Sequence, residues 1–185
     1  GASAASDGKS GLLYPTSAAN TSIEMIETRA PIVVTEKAFI VDSGGAGQYR
    51  GGLAQLVRLR KRDEDGLPML VSVYPEGVGL QIAGLHGGQP GLAARGVVQD
   101  AAGQTIKDCG AGDLVTLTRT SEFVALTLAA GSGYGDCTAR SRSDVAHDVA
   151  MGWITPQGAA RDYGRTDAAP AEGGRVAAAE TLAAS

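Results

Sequence analysis

The chain has 185 residues, of which 43% are hydrophobic, 19% charged and 4% aromatic; that is enough for one domain with a core and too apolar for wholesale disorder. A net charge of −4 leaves no basic footprint for nucleic acid or an anionic membrane, and no apolar run reaches the ~20 residues that cross a bilayer. The 27 glycines cluster without a fixed period, which excludes collagen and favours turn-rich β structure.

In chain order, residues 1–13 are small and polar and read as a disordered or extended lead. They start Gly1-Ala2-Ser3 with no initiator methionine or signal-peptide pattern, as expected of a processed, trimmed or partial chain. Apolar character begins at Leu12-Leu13-Tyr14-Pro15, and Ile23–Glu27 is too short to assign. Beyond Pro31, Ile32–Val34 and Lys37–Val41 read as strands. Asp42–Gly52 is a long turn, in which Gly44, Gly45, Gly47, Gly51 and Gly52 permit close backbone approaches. Val57–Arg60 alternates as a half-buried strand does, Met69–Val73 is a second strand, and Asp65-Gly66 supplies a hairpin turn between them. The basic run Arg58, Arg60, Lys61, Arg62 meets Asp63, Glu64 and Asp65 at once and reads as a solvated strand end.

Glycine and proline dominate Gly77–Gly96, with Gly87 and Gly88 at the centre. Val97–Gln99 and Gln104–Ile106 form a hairpin around Asp100–Gly103; Leu114–Thr118 and Val124–Leu128 are further strands. After the loop holding Gly131, Gly133 and Gly135 the period lengthens. Ser143 caps a helix with Val145 and Val149 on one face, ended by Gly152; Thr155-Pro156 starts a second, stopped by Gly164. The fold class is therefore mainly β (α+β). A glycine-rich antiparallel β domain spans 14–140, a C-terminal helical hairpin 141–164, and an alanine-rich tail 165–185.

The chemistry is sparser. Gly45-Ala46-Gly47-Gln48-Tyr49-Arg50-Gly51 is one residue too long for a dinucleotide fingerprint and precedes a strand where a helix is needed; Gly8-Lys9-Ser10 lacks the first P-loop glycine. Gly131-Ser132-Gly133 lacks the outer glycines of a nucleophile elbow. His86 and His147 are far apart, and Cys109 and Cys137 have no ligand-spaced companions, so no metal ligands are assigned. Two unpaired cysteines fit a reducing cytoplasm. Asp42 and Asp136, each beside a glycine cluster, suit capping of loop amides. The residues to contact a substrate or a neighbouring subunit are Arg50, His86, Tyr134 and Asp136. These residues give no complete catalytic set and alone do not reveal function; a free-standing β module binding a small ligand is one alternative and part of something larger another.

Four stretches carry a resemblance that points to the second and leaves the first as the alternative. Asp42-Ser43-Gly44-Gly45-Ala46-Gly47-Gln48-Tyr49-Arg50-Gly51-Gly52-Leu53, preceded by Asn20-Thr21 and Glu27-Thr28-Arg29, resembles the signature loop of the hydantoinase B/oxoprolinase family. Gly87-Gly88-Gln89-Pro90-Gly91, Gly131-Ser132-Gly133-Tyr134-Gly135-Asp136 and Ala159-Ala160-Arg161-Asp162-Tyr163-Gly164 are similar to its later motifs, in the same order. Cys137 and His86 depart from the proline and the aromatic residue common there. The resemblance implies the C-terminal part of a B-type protein about three times longer, working with an ATP-binding hydantoinase A-type subunit. It implies ATP-dependent ring opening of hydantoins, 5-oxoproline or lactams, or alternatively carboxylation of ketones. ATP, Mg and a catalytic metal are then expected in the partner chains, with no cofactor in this one. The isolated chain is expected to be inactive.

Overall fold

The structure, a computed structural model, describes residues 1–12, 21–74 and 77–167. The apolar start at Leu13–Pro15, Asn20 and most of the alanine-rich tail lie outside the described residues.

Helix α1 (Ile23–Arg29) is capped by the Ser22 hydroxyl, which accepts from the Met25 amide, and it ends where Pro31 holds Ala30 extended at φ −132°. Strand β1 (Ile32–Phe39) runs through where two strands were expected; a bulge between Val34 and Glu36 absorbs Thr35. With β2 (Gln55–Lys61), β4 (Arg95–Gln99), β5 (Thr105–Cys109) and β7 (Phe123–Leu128) it forms an antiparallel sheet in the order β1-β2-β7-β4-β5. Strands β3 (Met69–Val73) and β6 (Asp113–Leu117) pair as a separate ribbon.

The β4–β5 hairpin is as expected. Asp100 Oδ1 accepts the Ala102 and Gln104 amides and Gly103 turns at φ 82°. The Asp65-Gly66 hairpin is a correction. Gly66 does turn, at φ 74°, but β2 pairs with β1 and β7 while β3 pairs with β6, so this turn carries the chain from the sheet to the ribbon. Lys61 is also not solvated. It is buried, with its amine held by the Asp65 carboxylate and the Leu67 carbonyl, which pins that crossing.

Alternation explains the main core. Leu59 lies opposite Val124 and Val57 opposite Leu126 on one sheet face, and β3 turns Val71 and Val73 inward while Leu70 and Ser72 face out. Val73, Val115 and Leu117 of the ribbon thus pack on Val98 and Val124 of the sheet, each fully buried side chain contributing roughly 1.5–3 kcal/mol. A second core holds the helical hairpin: Val145 and Val149 of α2 (Arg142–Ala150) meet Ile154, Ala159 and Tyr163 around Ala46 of the first glycine loop. The cap of α2 is Ser141, not Ser143, since the Ser141 hydroxyl accepts the Asp144 amide. Helix α3 (Pro156–Tyr163) has the expected bounds, with Thr155 as its cap and Gly164 left-handed at φ 64°.

Residues 1–12 contain no helix or strand but are tied down. The Ala2 amide donates to Ser132 O (2.9 Å), the Gly8 amide to Arg50 O (2.7 Å), and the Ser10 hydroxyl accepts from the Leu53 amide (2.9 Å).

Candidate functional site

The three glycine loops converge into one backbone knot. The Gly45 amide donates to Gly131 O (2.9 Å), Gly131 to Gly52 O (2.8 Å), Gln89 to Ala46 O (2.7 Å) and Gly133 to Gln89 O (2.9 Å). Tyr49 and Tyr134 exchange both backbone bonds at 3.0 Å, and Leu85 pairs alongside Tyr134. Glycine is required because main chains touch. A Cβ on Gly51 would be driven into the Gly131 carbonyl, and one on Gly133 into that of Ala46. These amides are consumed by carbonyls of neighbouring loops. They do not form the outward-facing ring of donors that a phosphate cradle needs.

Behind the knot lies a buried charge cluster. Asp148 Oδ2 accepts from Arg50 Nε (3.2 Å) and Arg140 Nη2 (2.7 Å). Arg140 also grips Asp7 with two bonds of 2.8 Å and donates to Gln48 O at 3.0 Å. The Arg50 amide donates to Asp7 Oδ1 at 2.7 Å, and its guanidinium donates to Gly51 O at 2.7 Å and lies 5.1 Å from the Trp153 ring centroid. Arg50 and Arg140 are each 3% exposed and Asp148 is 1% exposed, whereas the Asp7 side chain keeps 34%. Burial raises the Asp7 carboxyl, but the Arg140 hydrogen bonds and charge and the Arg50 amide outweigh it and hold the group below the usual carboxylate range. Burial lowers the Arg140 guanidinium, and Asp7 and Asp148 more than restore it, so it stays charged. Tyr163, buried beside this cluster, has its phenol pushed up to about 12, chiefly by desolvation.

The expected contact residues therefore separate. Arg50 faces inward; its guanidinium is committed to Asp148 and Gly51, which leaves it no surface for a ligand. Asp42, at φ 58°, clamps the helical hairpin to the first loop by accepting the Thr155 amide (2.8 Å) and hydroxyl (2.6 Å). Asp136 accepts the Thr138 amide and hydroxyl, each at 2.8 Å, and caps the 3-10 turn Cys137–Ala139; the amide bond first, then the hydroxyl, depresses its carboxyl. His86 and Tyr134 do come together, with ring centroids 5.0 Å apart. His86 sits at φ 52° and Gly87 at φ 94° in a turn closed by the Gly88 amide on Leu85 O (3.0 Å). The imidazole is thereby held out from the knot and exposed.

Sequence reasoning missed Asp7, Arg140 and Asp148. A signal existed for Asp148, which follows Val145 by three residues and precedes Val149, on the buried helical face; Asp7, in the lead, offered none. Among the described residues no group of three or more His, Cys, Asp or Glu could hold a metal ion. Cys109 and Cys137 are both free. No described helix is long and apolar enough to cross a membrane.

Sheet, ribbon, interlocked glycine loops and helical hairpin define an α+β domain whose loops are braced by main chain and buried charge. The chain belongs to the hydantoinase B/oxoprolinase family, whose sequence model matches residues 1–137. It is 32% identical over 145 residues to an uncharacterised protein of Methanocaldococcus jannaschii, a match covering 78% of this chain and 24% of that protein. It is 29% identical over 146 residues to the caprolactamase β subunit of Pseudomonas jessenii, covering 77% of this chain and 24% of the subunit. The ATP-dependent caprolactamase crystal structure from that organism superposes with a TM-score of 0.64 at 26% identity, over 77% of this chain and 24% of the matched one. A nucleotide-free acetone carboxylase gives 0.66 at 20% identity, over 89% and 26%. The chain thus spans about a quarter of the length of the relatives it matches.

Proposed function

We propose that this chain is the loop-bearing segment or subunit of an ATP-dependent cyclic-amide hydrolase, acting with the remainder of a hydantoinase B-type protein and an ATP-binding hydantoinase A-type subunit. The observation that carries this reading is family membership over residues 1–137 together with 29% identity to a caprolactamase β subunit. Ketone carboxylation is the second reading. Family membership supports it equally, but the acetone carboxylase likeness at 20% identity speaks for fold alone, whereas the caprolactamase β subunit is 29% identical, so lactam chemistry is preferred.

The physical logic is that an amide carbon resists water at neutral pH. Phosphorylation of the amide oxygen by ATP elsewhere in the complex makes that carbon electrophilic, so that water adds, the ring C–N bond breaks with the nitrogen leaving as the amine, and the phosphoryl group departs as inorganic phosphate. This chain supplies shape. The knot fixes loop tips without flexible side chains, and His86 with Tyr134 forms the contact that we place against the substrate or the adjoining polypeptide. Arg50 acts from within, and Asp136 acts at the exposed end of the third loop by capping the turn that follows it. Assignment to the cytoplasm follows from the same reading.

The test is purification through this chain from cells that make it, followed by assay with ATP and ε-caprolactam. The expected result is a complex that releases ADP and the ring-opened amino acid together, while the isolated chain is inactive. A monomer with neither partner, or one that binds ligand by itself with measurable heat, would instead support a free-standing module.

A further inference from the structure

From Gly77 through Ala94 the chain contains no Asp, Glu, Lys or Arg, although most of this stretch is exposed. Within it Leu80, Ile82 and Leu85 are 69%, 76% and 63% exposed. Scattered apolar side chains are ordinary on a surface, but an uncharged exposed run bearing three large aliphatic groups is not. Depletion of charge is the compositional mark of an interface core. Nor is the segment loose. The Ser132 hydroxyl donates to Ile82 O (2.9 Å), the Leu85 amide to Gly133 O (3.2 Å), the Gly135 amide to Leu85 O (2.9 Å) and the Gly79 amide to Ala94 O (3.3 Å). Ile82 and Leu85 are thus laid along the third glycine loop, beside His86 and Tyr134, as a preformed apolar strip.

We infer that this strip is the surface on which the rest of the hydantoinase B-type polypeptide docks, and that His86 lies at the edge of that junction. The inference rests on the reading given under Proposed function and names the surface that reading requires. The occupant follows from two observations. About three quarters of each relative's polypeptide lies outside the stretch that this chain matches. A surface this apolar and uncharged suits a permanent interface, which resembles a domain core cut in two, more than one that exchanges partners.

The test places a benzoylphenylalanine photocrosslinker at Ile82 or at Leu85 of the full chain in the cells that produce it, with the exposed outward-facing Leu70 of the β3–β6 ribbon as control, and identifies the crosslinked peptides by mass spectrometry. The expected product joins Ile82 to hydantoinase B-type sequence outside the stretch that matches this chain. Ile82→Asp should reduce the crosslink at Leu85 about a hundredfold, because it places an unpaired charge in an apolar contact. It should leave the melting temperature of the isolated chain unchanged, since Ile82 is 76% exposed there. Crosslinks to an ATP-binding subunit, or to a second copy of this chain, would overturn the docking assignment and leave the functional reading standing. Crosslinks only to unrelated proteins, or none above the Leu70 control, would overturn the docking assignment; if the purified chain also lacks both partners, the functional reading falls with it.

Discussion

Removing Asp148 is the sharpest test of how the loops are held. Its carboxylate is 1% exposed and is shared by two guanidiniums, at 2.7 Å from Arg140 and 3.2 Å from Arg50. Asp148→Ala leaves two buried cations facing one carboxylate, Asp7, which is partly in water. Breaking a buried pair in this way costs about 3–5 kcal/mol, because the survivors keep their desolvation penalty and lose the compensating charge. A domain has only ~5–15 kcal/mol to lose. At ~2–4 °C per kcal/mol for a chain of this size, the melting temperature should fall by about 6–20 °C. Urea titration should show a lower midpoint with unchanged slope. A double-mutant cycle should give Arg140 the larger coupling to Asp148, since its bond is shorter and its second carboxylate lies on the same guanidinium. A loss below about 1 kcal/mol would refute the reasoning, for it would mean that the cluster is solvated and the pairs are worth no more than surface ones.

Asp7→Asn tests the lead. The folded pKa of Asp7 lies below its ordinary value of 3.8, so its contribution is complete above that value and disappears as the pH falls through the folded one. The native chain should therefore lose stability in this acid window more steeply than the variant, while both behave alike in slope at neutral pH; identical acid limbs in circular dichroism would contradict the pairing. Tyr163 has the opposite sign. Its neutral form is favoured by folding, so stability is complete below the ordinary tyrosine value of 10.0 and is lost as pH rises through about 12. Tyr163 should contribute a late step to an ultraviolet titration, and Tyr163→Phe should remove it. Gly51→Ala drives a methyl into the Gly131 carbonyl and should cost more than about 4 kcal/mol or abolish folding. Gly66→Ala, at φ 74° in open space, should cost only about 1–2 kcal/mol; an equally small cost at Gly51, which has no left-handed φ, would refute the loop-contact argument.

What could be read from the sequence was local. Thr155-Pro156 and Gly164 announce both ends of α3 because capping chemistry is complete within four residues, and Asp100–Gly103 announces the β4–β5 hairpin for the same reason. Asp65-Gly66 misleads. A turn signal states that the chain reverses, not which strand it then pairs with, and the partner of β3 is a strand some forty residues on. The Ser141 cap was missed because Ser143 is chemically equivalent; only the position of the buried stripe separates them. The glycine clusters were visible as clusters, but their convergence depends on three distant loops meeting, which no spacing encodes. Asp7 was invisible for a related reason. One acid in a small polar lead looks solvated until two arginines are brought to it from positions 50 and 140.

The knot also decides what kind of site this chain can contribute. Glycine loops serve ligands in two ways: with free amides that bind anions, or with shape that positions side chains. Here the amides of Gly45, Gly51, Gly131, Gly133 and Gly135 all donate to carbonyls within the knot, so the first use is closed unless the loops come apart. Their separation would expose Arg50, Arg140 and Asp148 together, at the cost already assigned to that cluster. What remains available is whatever stands on the knot, and two features do: the His86–Tyr134 pair and the uncharged strip from Leu80 to Leu85. A small carboxylate or phosphate should therefore leave the stability of the isolated chain unchanged, because these five amides are already committed. On the proposed function, a response to substrate is expected only once another polypeptide covers the strip.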